Sequence, residues 1–131
     1  MGQFVDLKSA DGFVLPAWVA EPDAPPRGAV VVLQEIFGVN NHIRAVADRF
    51  AARGYLAVAP STFHRVQPGV DMGYTGDDMQ AGIALKAAVE GLPAPGVMPD
   101  IQAAIDYAAE RSGRKVGIVG FCWGGLLTWR A

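Results

Sequence analysis

The sequence predicts a three-layer α/β fold with a mostly parallel sheet, and two observations support this prediction. Continuous apolar runs such as residues 29–33 are typical of strands that are buried on both faces of a sheet. These runs alternate along the chain with segments such as residues 43–51, whose apolar side chains recur at helical spacing. Alternating strands and helices favour a parallel sheet that is covered by helices.

The first strands are predicted from alternating side chains and from turn residues. Residues 3–8 and 13–20 read as two strands that are joined by a turn at Ala10-Asp11-Gly12. The proline-rich stretch 21–26 then connects this pair to the buried strand at 29–33.

A helix and a further buried strand follow. Asn40 or Asn41 can cap the helix, because the side-chain oxygen of asparagine accepts a hydrogen bond from a free backbone N–H at the helix start. The apolar residues within 43–51 form one helical face, and Gly54 ends the helix. The segment from Tyr55 to Ala59 is the next buried strand.

The second half of the chain supplies two helices, a strand and a final helix. Residues 61–75 are predicted to form a loop, and residues 77–89 a helix rich in alanine. Proline suits a helix start, so the next helix is expected to begin at Pro99 and to end at Gly113. A strand at 115–120 and a helix from Trp123 follow.

Three segments are expected to meet at one edge of the sheet. Parallel α/β sheets place their functional sites at the carboxyl ends of the strands. The segments that follow the three central strands are residues 34–38, residues 61–65 and Cys122. The functional residues are therefore expected among these segments.

Composition limits the class of protein. The 131 residues suit one domain, and 51% hydrophobic residues are enough for a sizeable core. The net charge is −2, and the sequence has no basic stripe of the kind that binds nucleic acid. No apolar run is long enough to span a membrane. The single cysteine excludes an intrachain disulfide and fits a reducing compartment. The first residues do not resemble a signal peptide, so a cytoplasmic location is expected.

Cys122 is the most informative residue. It lies in Gly120-Phe121-Cys122-Trp123-Gly124, directly after an apolar strand and before a helix. This is the nucleophile-elbow pattern with cysteine in place of serine: glycines let strand and helix approach each other, and the helix N-terminus favours a thiolate. A buried structural cysteine beside packing glycines is the alternative. The flanking strand and helix favour the nucleophile.

The chain resembles the dienelactone hydrolase family, whose members are α/β hydrolases with a cysteine nucleophile. The resemblance runs across essentially the whole chain, and the order and separation of the first and last motifs make it specific. The matching segments are Gln34-Glu35-Ile36-Phe37-Gly38-Val39-Asn40, Arg53-Gly54-Tyr55 with Ala59-Pro60, Phe63-His64-Arg65, and Lys115-Val116-Gly117 leading to the cysteine elbow.

The resemblance implies hydrolysis of an ester or lactone through an acyl-thiol intermediate, without a metal or organic cofactor. Cys122 would be the nucleophile, Glu35 the carboxylate beside the resting thiol, and the amides of Ile36 and Trp123 would bind the oxyanion. From its residue type alone, Glu35 at the end of a buried strand is either an acid/base group or a structural cap on a backbone amide. We favour the functional interpretation, because carboxylates that sit near a thiol and away from water are typical of active sites.

The sequence departs from the family pattern in two respects. The family completes its triad with a downstream aspartate and histidine, and the chain ends before either. His64 is a better substitute base than His42, although a plain loop histidine is the more common case. The family's substrate-binding arginine has no clear counterpart. Arg65 is either a ligand for a substrate carboxylate or a solvated loop charge, and with His64 and Phe37 it completes the candidate substrate contacts.

The expected domain spans residues 1–131 and is incomplete on its carboxyl-terminal side. In the family fold the strand at 115–120 lies inside the sheet, with further strands beyond it that this chain does not supply. We therefore expect this strand to be an exposed edge here, and such edges recruit partners. The chain could be a half completed by a second polypeptide, a fragment of a longer product, or a short form that dimerises through this edge. The fragment is favoured, because the helix at Trp129-Arg130-Ala131 has no stop signal.

Two other functions stay open. The missing triad residues are compatible with a hydrolase that is inactive as this truncated chain, or with a non-catalytic binding or assembly module built on a hydrolase half-fold. A redox-sensing thiol is the weaker alternative, because Cys122 has no second cysteine to resolve an oxidised form.

Overall fold

The computed structural model describes residues 2–131, so Met1, where the expected domain begins, lies outside the described part. Strands and helices follow the order that the sequence predicts, with bounds that differ by one or two residues. The strands are β1 (Gln3–Lys8), β2 (Val14–Ala20), β3 (Gly28–Leu33), β4 (Tyr55–Pro60) and β5 (Val116–Gly120). The helices are α1 (Asn41–Ala52), α2 (Gly76–Glu90), α3 (Met98–Ser112) and α4 (Trp123–Arg130).

The five strands form one mixed sheet in the order β1-β2-β4-β3-β5. β3 pairs in parallel with both β4 and β5, whereas β2 pairs antiparallel with β1 and with β4. The sheet is therefore parallel only in the half that follows β2. The tight turn between β1 and β2 explains the first antiparallel pair, because a turn of that length reverses the chain, whereas a parallel pair needs a longer crossover connection.

Helices cover both faces of the sheet, as the three-layer prediction requires. The side chains of β3 alternate between the faces. Val31 and Leu33 pack in the same core cluster as Ile101 of α3, whereas Val32 packs with Ile43 of α1 on the opposite face. Helix α4 adds Trp123 and Leu127 to the α3 face.

The predicted helix caps are present. Asn40 caps α1, and its side-chain oxygen accepts a hydrogen bond of 3.2 Å from the amide of Ile43. Gly54 follows α1 with a φ of +96°, and Gly113 ends α3 with a φ of +64°, both in the left-handed region that favours glycine. Helix α2 begins after Thr75, which forms a capping box with Asp78.

Strand β5 lies at one edge of the sheet, as predicted for the strand that precedes the elbow. It pairs with β3 on one side, and most of its residues are partly exposed. The following helix α4 leaves Trp129 88% exposed. Among residues 2–131, no helix combines the length and the apolar character that crossing a membrane would require.

Candidate active site

The carboxyl ends of β3, β4 and β5 meet at one edge of the sheet, because these three strands run parallel. Gln34, which follows β3, is fully buried, and its side-chain oxygen accepts a hydrogen bond of 3.1 Å from the amide of Thr62, which follows β4. Its side-chain amide donates to the carbonyl of Glu35 at 2.9 Å. Gln34 therefore ties the two strand ends together and orients the backbone that leads into Glu35.

The backbone of Cys122 is strained and its side chain is exposed. Cys122 has a φ of 56° and a ψ of −117°, and within residues 2–131 it is the one residue other than glycine with a positive φ. Side chains with a Cβ rarely adopt this conformation, and it recurs at functional sites. Cys122 sits directly before α4, where the sharp turn from strand to helix presents the thiol to solvent.

The glycines of the elbow are required by close backbone contacts. A Cβ on Gly120 would overlap the carbonyl oxygen of Gly124. A Cβ on Gly124 would lie 2.5 Å from the carbonyl oxygen of Gln34 and 2.6 Å from that of Leu33. The first turn of α4 therefore packs directly on the end of β3, and it brings the elbow against the residue that precedes Glu35.

The amide of Trp123 lies at the first position of α4. The next two amides are used inside the turn: Gly124 donates to Phe121 at 2.9 Å, and Gly125 donates to Cys122 at 3.0 Å. The Trp123 amide belongs to the first turn, whose N–H groups have no acceptor within the helix. Ile36 is almost fully buried, and its carbonyl contacts α2 at Gly82, where a Cβ would overlap it.

Glu35 is half-buried and is held by a residue that the sequence analysis did not single out. The hydroxyl of Tyr74 donates to Glu35 Oε1 at 2.7 Å and accepts from Asn40 Nδ2 at 3.3 Å. Its ring packs edge-on against Phe37, with the ring centroids 4.6 Å apart. Partial desolvation of its hydroxyl, together with the neighbouring Glu35 carboxylate, raises the pKa of Tyr74, although 55% of the residue's surface is exposed. The one sequence signal was an aromatic residue directly before the capping residue Thr75.

The side chain of Trp123 is a packing element. Its indole is 3% exposed and stacks on the ring of Phe63, with the centroids 5.2 Å apart and an interplanar angle of 24°. Within residues 2–131, the indole Nε1 is buried and has no hydrogen-bond partner. The ring of Trp123 thus anchors the elbow helix, and only its backbone amide is left as a candidate for contact with a substrate.

Arg65 is engaged by acidic residues. Its guanidinium contacts Asp100 at 2.7 and 2.8 Å and Asp11 at 2.9 Å, and it lies over the ring of Phe13. Asp100 is 1% exposed and also accepts a hydrogen bond from Ser9. Hydrogen bonds to Asp100 and Asp11 raise the pKa of Arg65, and the bond to Arg65 lowers the pKa of Asp11. These contacts favour a structural role for Arg65, which differs from both expectations, a substrate ligand and a solvated loop charge.

The remaining candidates lie in different surroundings. Phe37 is 5% exposed and belongs to the core beneath Tyr74. His64 is partly buried beside the ring of Phe13, and its Nδ1 has no partner within the described part of the chain. His42 lies on the exposed side of α1, with its ring 6.0 Å from that of Phe121. Within residues 2–131, no hydrogen bond links the side chain of Cys122 to any of these three residues, nor to Glu35, whose carboxylate accepts from Tyr74.

The fold and the elbow define the class of protein. A strained residue at a sharp turn between a parallel strand and a helix, at the carboxyl edge of a sheet covered on both faces, is typical of the α/β hydrolases. A Xanthomonas campestris structure described as an α/β serine hydrolase without a lid has the same fold, with a TM-score of 0.61 at 13% identity over 99% of this chain and 55% of that one.

The chain belongs to the dienelactone hydrolase family, whose model matches residues 15–131. A protein of Synechocystis sp. that is provisionally named carboxymethylenebutenolidase is 40% identical over 116 residues, which cover 86% of this chain and 46% of that protein. The carboxymethylenebutenolidase of Pseudomonas putida is 35% identical over 127 residues, which cover 95% of this chain and 53% of that protein.

A solved structure supports the same assignment. The crystal structure of a protein from Klebsiella pneumoniae, provisionally described as a dienelactone hydrolase, matches with a TM-score of 0.74 and 31% identity. The match covers 95% of this chain and 51% of that one. The chain therefore spans about half the length of the relatives that it matches.

Proposed function

We propose that this chain carries the nucleophile of a dienelactone hydrolase-like cysteine hydrolase, which cleaves an ester or lactone through an acyl-thiol intermediate. The observation that supports the proposal is the backbone of Cys122: an exposed cysteine with a φ of 56° directly before a helix. Such strain persists only where the surrounding structure imposes it. The close backbone contacts of Gly120 and Gly124 hold the turn on both sides of Cys122.

The proposed reaction proceeds in two stages. Cys122 Sγ gives its proton to Glu35 and attacks the carbonyl carbon of the substrate, and the carbonyl electron pair moves to oxygen. When the tetrahedral intermediate collapses, the carbon–oxygen bond of the ester breaks and the leaving oxygen takes up the proton. In a lactone that oxygen stays attached to the acyl chain. Water then attacks the thioester, which releases the carboxylic acid and restores the thiol.

Two backbone amides are proposed to stabilise the negative charge that develops on the carbonyl oxygen. The amide of Trp123 is at the N-terminus of α4, where the helix dipole also favours negative charge. The amide of Ile36 is the second proposed donor and follows Glu35 directly. Donors fixed in place before the reaction stabilise an oxyanion without reorganisation.

The contacts of Arg65 support a proposal about the substrate class. Asp100 and Asp11 occupy its guanidinium, so this residue is a poor candidate for binding a substrate carboxylate. The names of the relatives refer to a lactone that bears a carboxyl group. We therefore propose that the site accepts neutral esters or lactones at least as well as carboxylated ones.

The experiment is an intact-mass measurement after brief incubation with p-nitrophenyl acetate. Cys122 is the one cysteine of the sequence, so Cys122→Ala is a clean control. We expect an acetyl adduct on the parent and none on the variant, with slow loss of the adduct if deacylation needs a further base. A parent that is folded by circular dichroism and yet stays unmodified would contradict the proposal. A matched ester with a free carboxylate tests the substrate class.

A further inference from the structure

Tyr74 is held in place from three sides. Its hydroxyl accepts from Asn40 Nδ2, its ring packs edge-on against Phe37, and the next residue, Thr75, caps α2. Asn40 itself is fixed, because it caps α1 and also donates to the carbonyl of Met72 at 3.0 Å. The position of the Tyr74 hydroxyl is thus determined by the ends of two helices.

The direction of its hydrogen bond is determined as well. A phenol has one proton to donate, and the side-chain nitrogen of Asn40 can only donate to it. The Tyr74 proton is therefore left for Glu35 Oε1, at 2.7 Å. A neutral donor to an ionised carboxylate gives a short, strong hydrogen bond. Tyr74 thereby binds Glu35 through Oε1 and makes no hydrogen bond to Oε2.

We propose that Tyr74 is a positioning residue that fixes Oε1 of Glu35 and leaves Oε2 to take the proton of Cys122. The inference rests on the proposed function, because Glu35 needs a defined orientation only if it serves the thiol. Glutamate has three rotatable side-chain bonds, and an untethered carboxylate would divide its time among many orientations. Tyr74 removes this freedom before substrate arrives.

A substitution can remove the hydroxyl without disturbing the core. Tyr74 is 55% exposed, so Tyr74→Phe keeps the ring on Phe37 and removes only the bond to Glu35 and the bond from Asn40. Tyr55→Phe is the matched control, because Tyr55 lies at the start of β4, at the opposite end of that strand from the site. Neither change alters charge or helix caps.

The first test measures the coupling between the two side chains without any catalysis. The sequence has three tyrosines, so replacing Tyr55 and Tyr107 with Phe leaves Tyr74 as the one source of tyrosinate absorbance in an alkaline titration. Burial and the Glu35 carboxylate both raise the pKa of Tyr74. Glu35→Gln should therefore move the titration midpoint to lower pH. An unchanged midpoint would overturn the inference.

The second test is a double-mutant cycle on the rate of Cys122 acylation. Tyr74→Phe should slow acylation by p-nitrophenyl acetate about tenfold, the rate equivalent of one lost hydrogen bond to a charged group, and Tyr55→Phe should not. In a Glu35→Gln background, Tyr74→Phe should have no further effect, because a positioning residue acts only through its partner. A purely structural role would slow both backgrounds equally and would overturn the inference.

The outcomes separate the two proposals. A parent that is acylated while Tyr74→Phe reacts at the parental rate would overturn the positioning role and leave the nucleophile in place. A Glu35→Gln variant that reacts as fast as the parent would remove Glu35 from the reaction and overturn the inference. A folded parent that is never acylated would contradict the proposed function and, with it, a role for Tyr74 in serving Cys122.

Discussion

The indole of Trp123 lies nearly parallel to the phenyl ring of Phe63, with the ring centroids 5.2 Å apart. Trp123 opens the helix that follows the candidate nucleophile, and Phe63 belongs to the loop that follows β4. The two strands concerned, β4 and β5, lie on either side of β3. The stack thus joins the elbow to the next-but-one strand and holds the first turn of α4 on the sheet.

Removing this stack should weaken both the fold and the elbow. Phe63 is 1% exposed, so Phe63→Ala should lower the free energy of unfolding by about 3 kcal/mol or more. The reaction of Cys122 with an activated ester should also slow in the folded variant, because the start of α4 loses its support. Urea unfolding and intact-mass kinetics measure the two effects.

The control for this change is Phe4→Ala. Phe4 is 51% exposed and contacts Trp18 edge-on at the far edge of the sheet. Phe4→Ala should lower the free energy of unfolding by only about 1 kcal/mol and leave the rate of Cys122 acylation unchanged. If Phe63→Ala left Cys122 as reactive as in the parent, the stack would be a stabilising contact without influence on the elbow.

The features that could be predicted from sequence are those that depend on neighbouring residues. The cap at Asn40, the helix ends at Gly54 and Gly113, and the elbow around Cys122 are each specified within a few positions. Their local chemistry determines the backbone, so a single sequence is enough. The convergence of residues 34–38 with 61–65 followed from the rule for parallel strands.

The features that escaped prediction are contacts between distant residues. Tyr74 reaches Glu35 across 39 positions, and Arg65 reaches Asp100 across 35. Each contact depends on where a loop is placed by α2 or α3, and no periodicity encodes that placement. The hairpin of β1 and β2 is predicted by its turn residues, whereas the antiparallel pairing of β2 with β4 joins strands that are distant in the sequence.

Two adjacent glycines at the elbow should respond very differently to alanine. A Cβ on Gly124 would meet the carbonyls of Gln34 and Leu33 at 2.5 and 2.6 Å, which are backbone atoms that cannot rotate away. Gly124→Ala should therefore push α4 off β3, cost about 2 kcal/mol, and abolish acylation of Cys122. Thermal unfolding and intact-mass kinetics measure these effects.

Gly125→Ala is the matched control. Its Cβ would approach the carbonyl oxygen of Gly120 at 3.6 Å, which is an ordinary contact. Alanine is about 1 kcal/mol more favourable than glycine inside a helix, so this variant should be as stable as the parent or more so. Equal losses for the two variants would contradict the close packing of Gly124 on β3.

The ion pair between Arg65 and Asp100 should be important for stability. Asp100 is 1% exposed, and the side chain of Arg65 is 17% exposed. Asp100→Asn removes the buried charge and leaves Arg65 with Asp11, whose side chain is 52% exposed, as its remaining charged partner, so it should lower the free energy of unfolding by about 2 kcal/mol. Asp106→Asn on the exposed side of the same helix should change it by less than about 0.5 kcal/mol. Equal stability of the two variants in urea would show that the buried pair contributes nothing.

The hydrogen bond between Tyr74 and Glu35 should make stability depend on pH in the alkaline range. Burial and the Glu35 carboxylate raise the pKa of Tyr74 above its ordinary value of about 10. Above about pH 10, the unfolded chain loses the phenol proton of Tyr74, while the folded chain still holds it. The contribution of this hydrogen bond to the free energy of unfolding is therefore complete below about pH 10. It falls as the pH rises toward the raised pKa of the folded protein.

Tyr74→Phe removes this contribution, so it isolates the effect from the lysines that titrate in the same range. The difference in free energy of unfolding between parent and variant should be constant from neutral pH to about pH 9 and should shrink above about pH 10. Urea unfolding of both proteins across this range measures the difference. A difference that stays constant, or that grows with pH, would show that the Tyr74 hydroxyl is not held in the folded protein beside the Glu35 carboxylate.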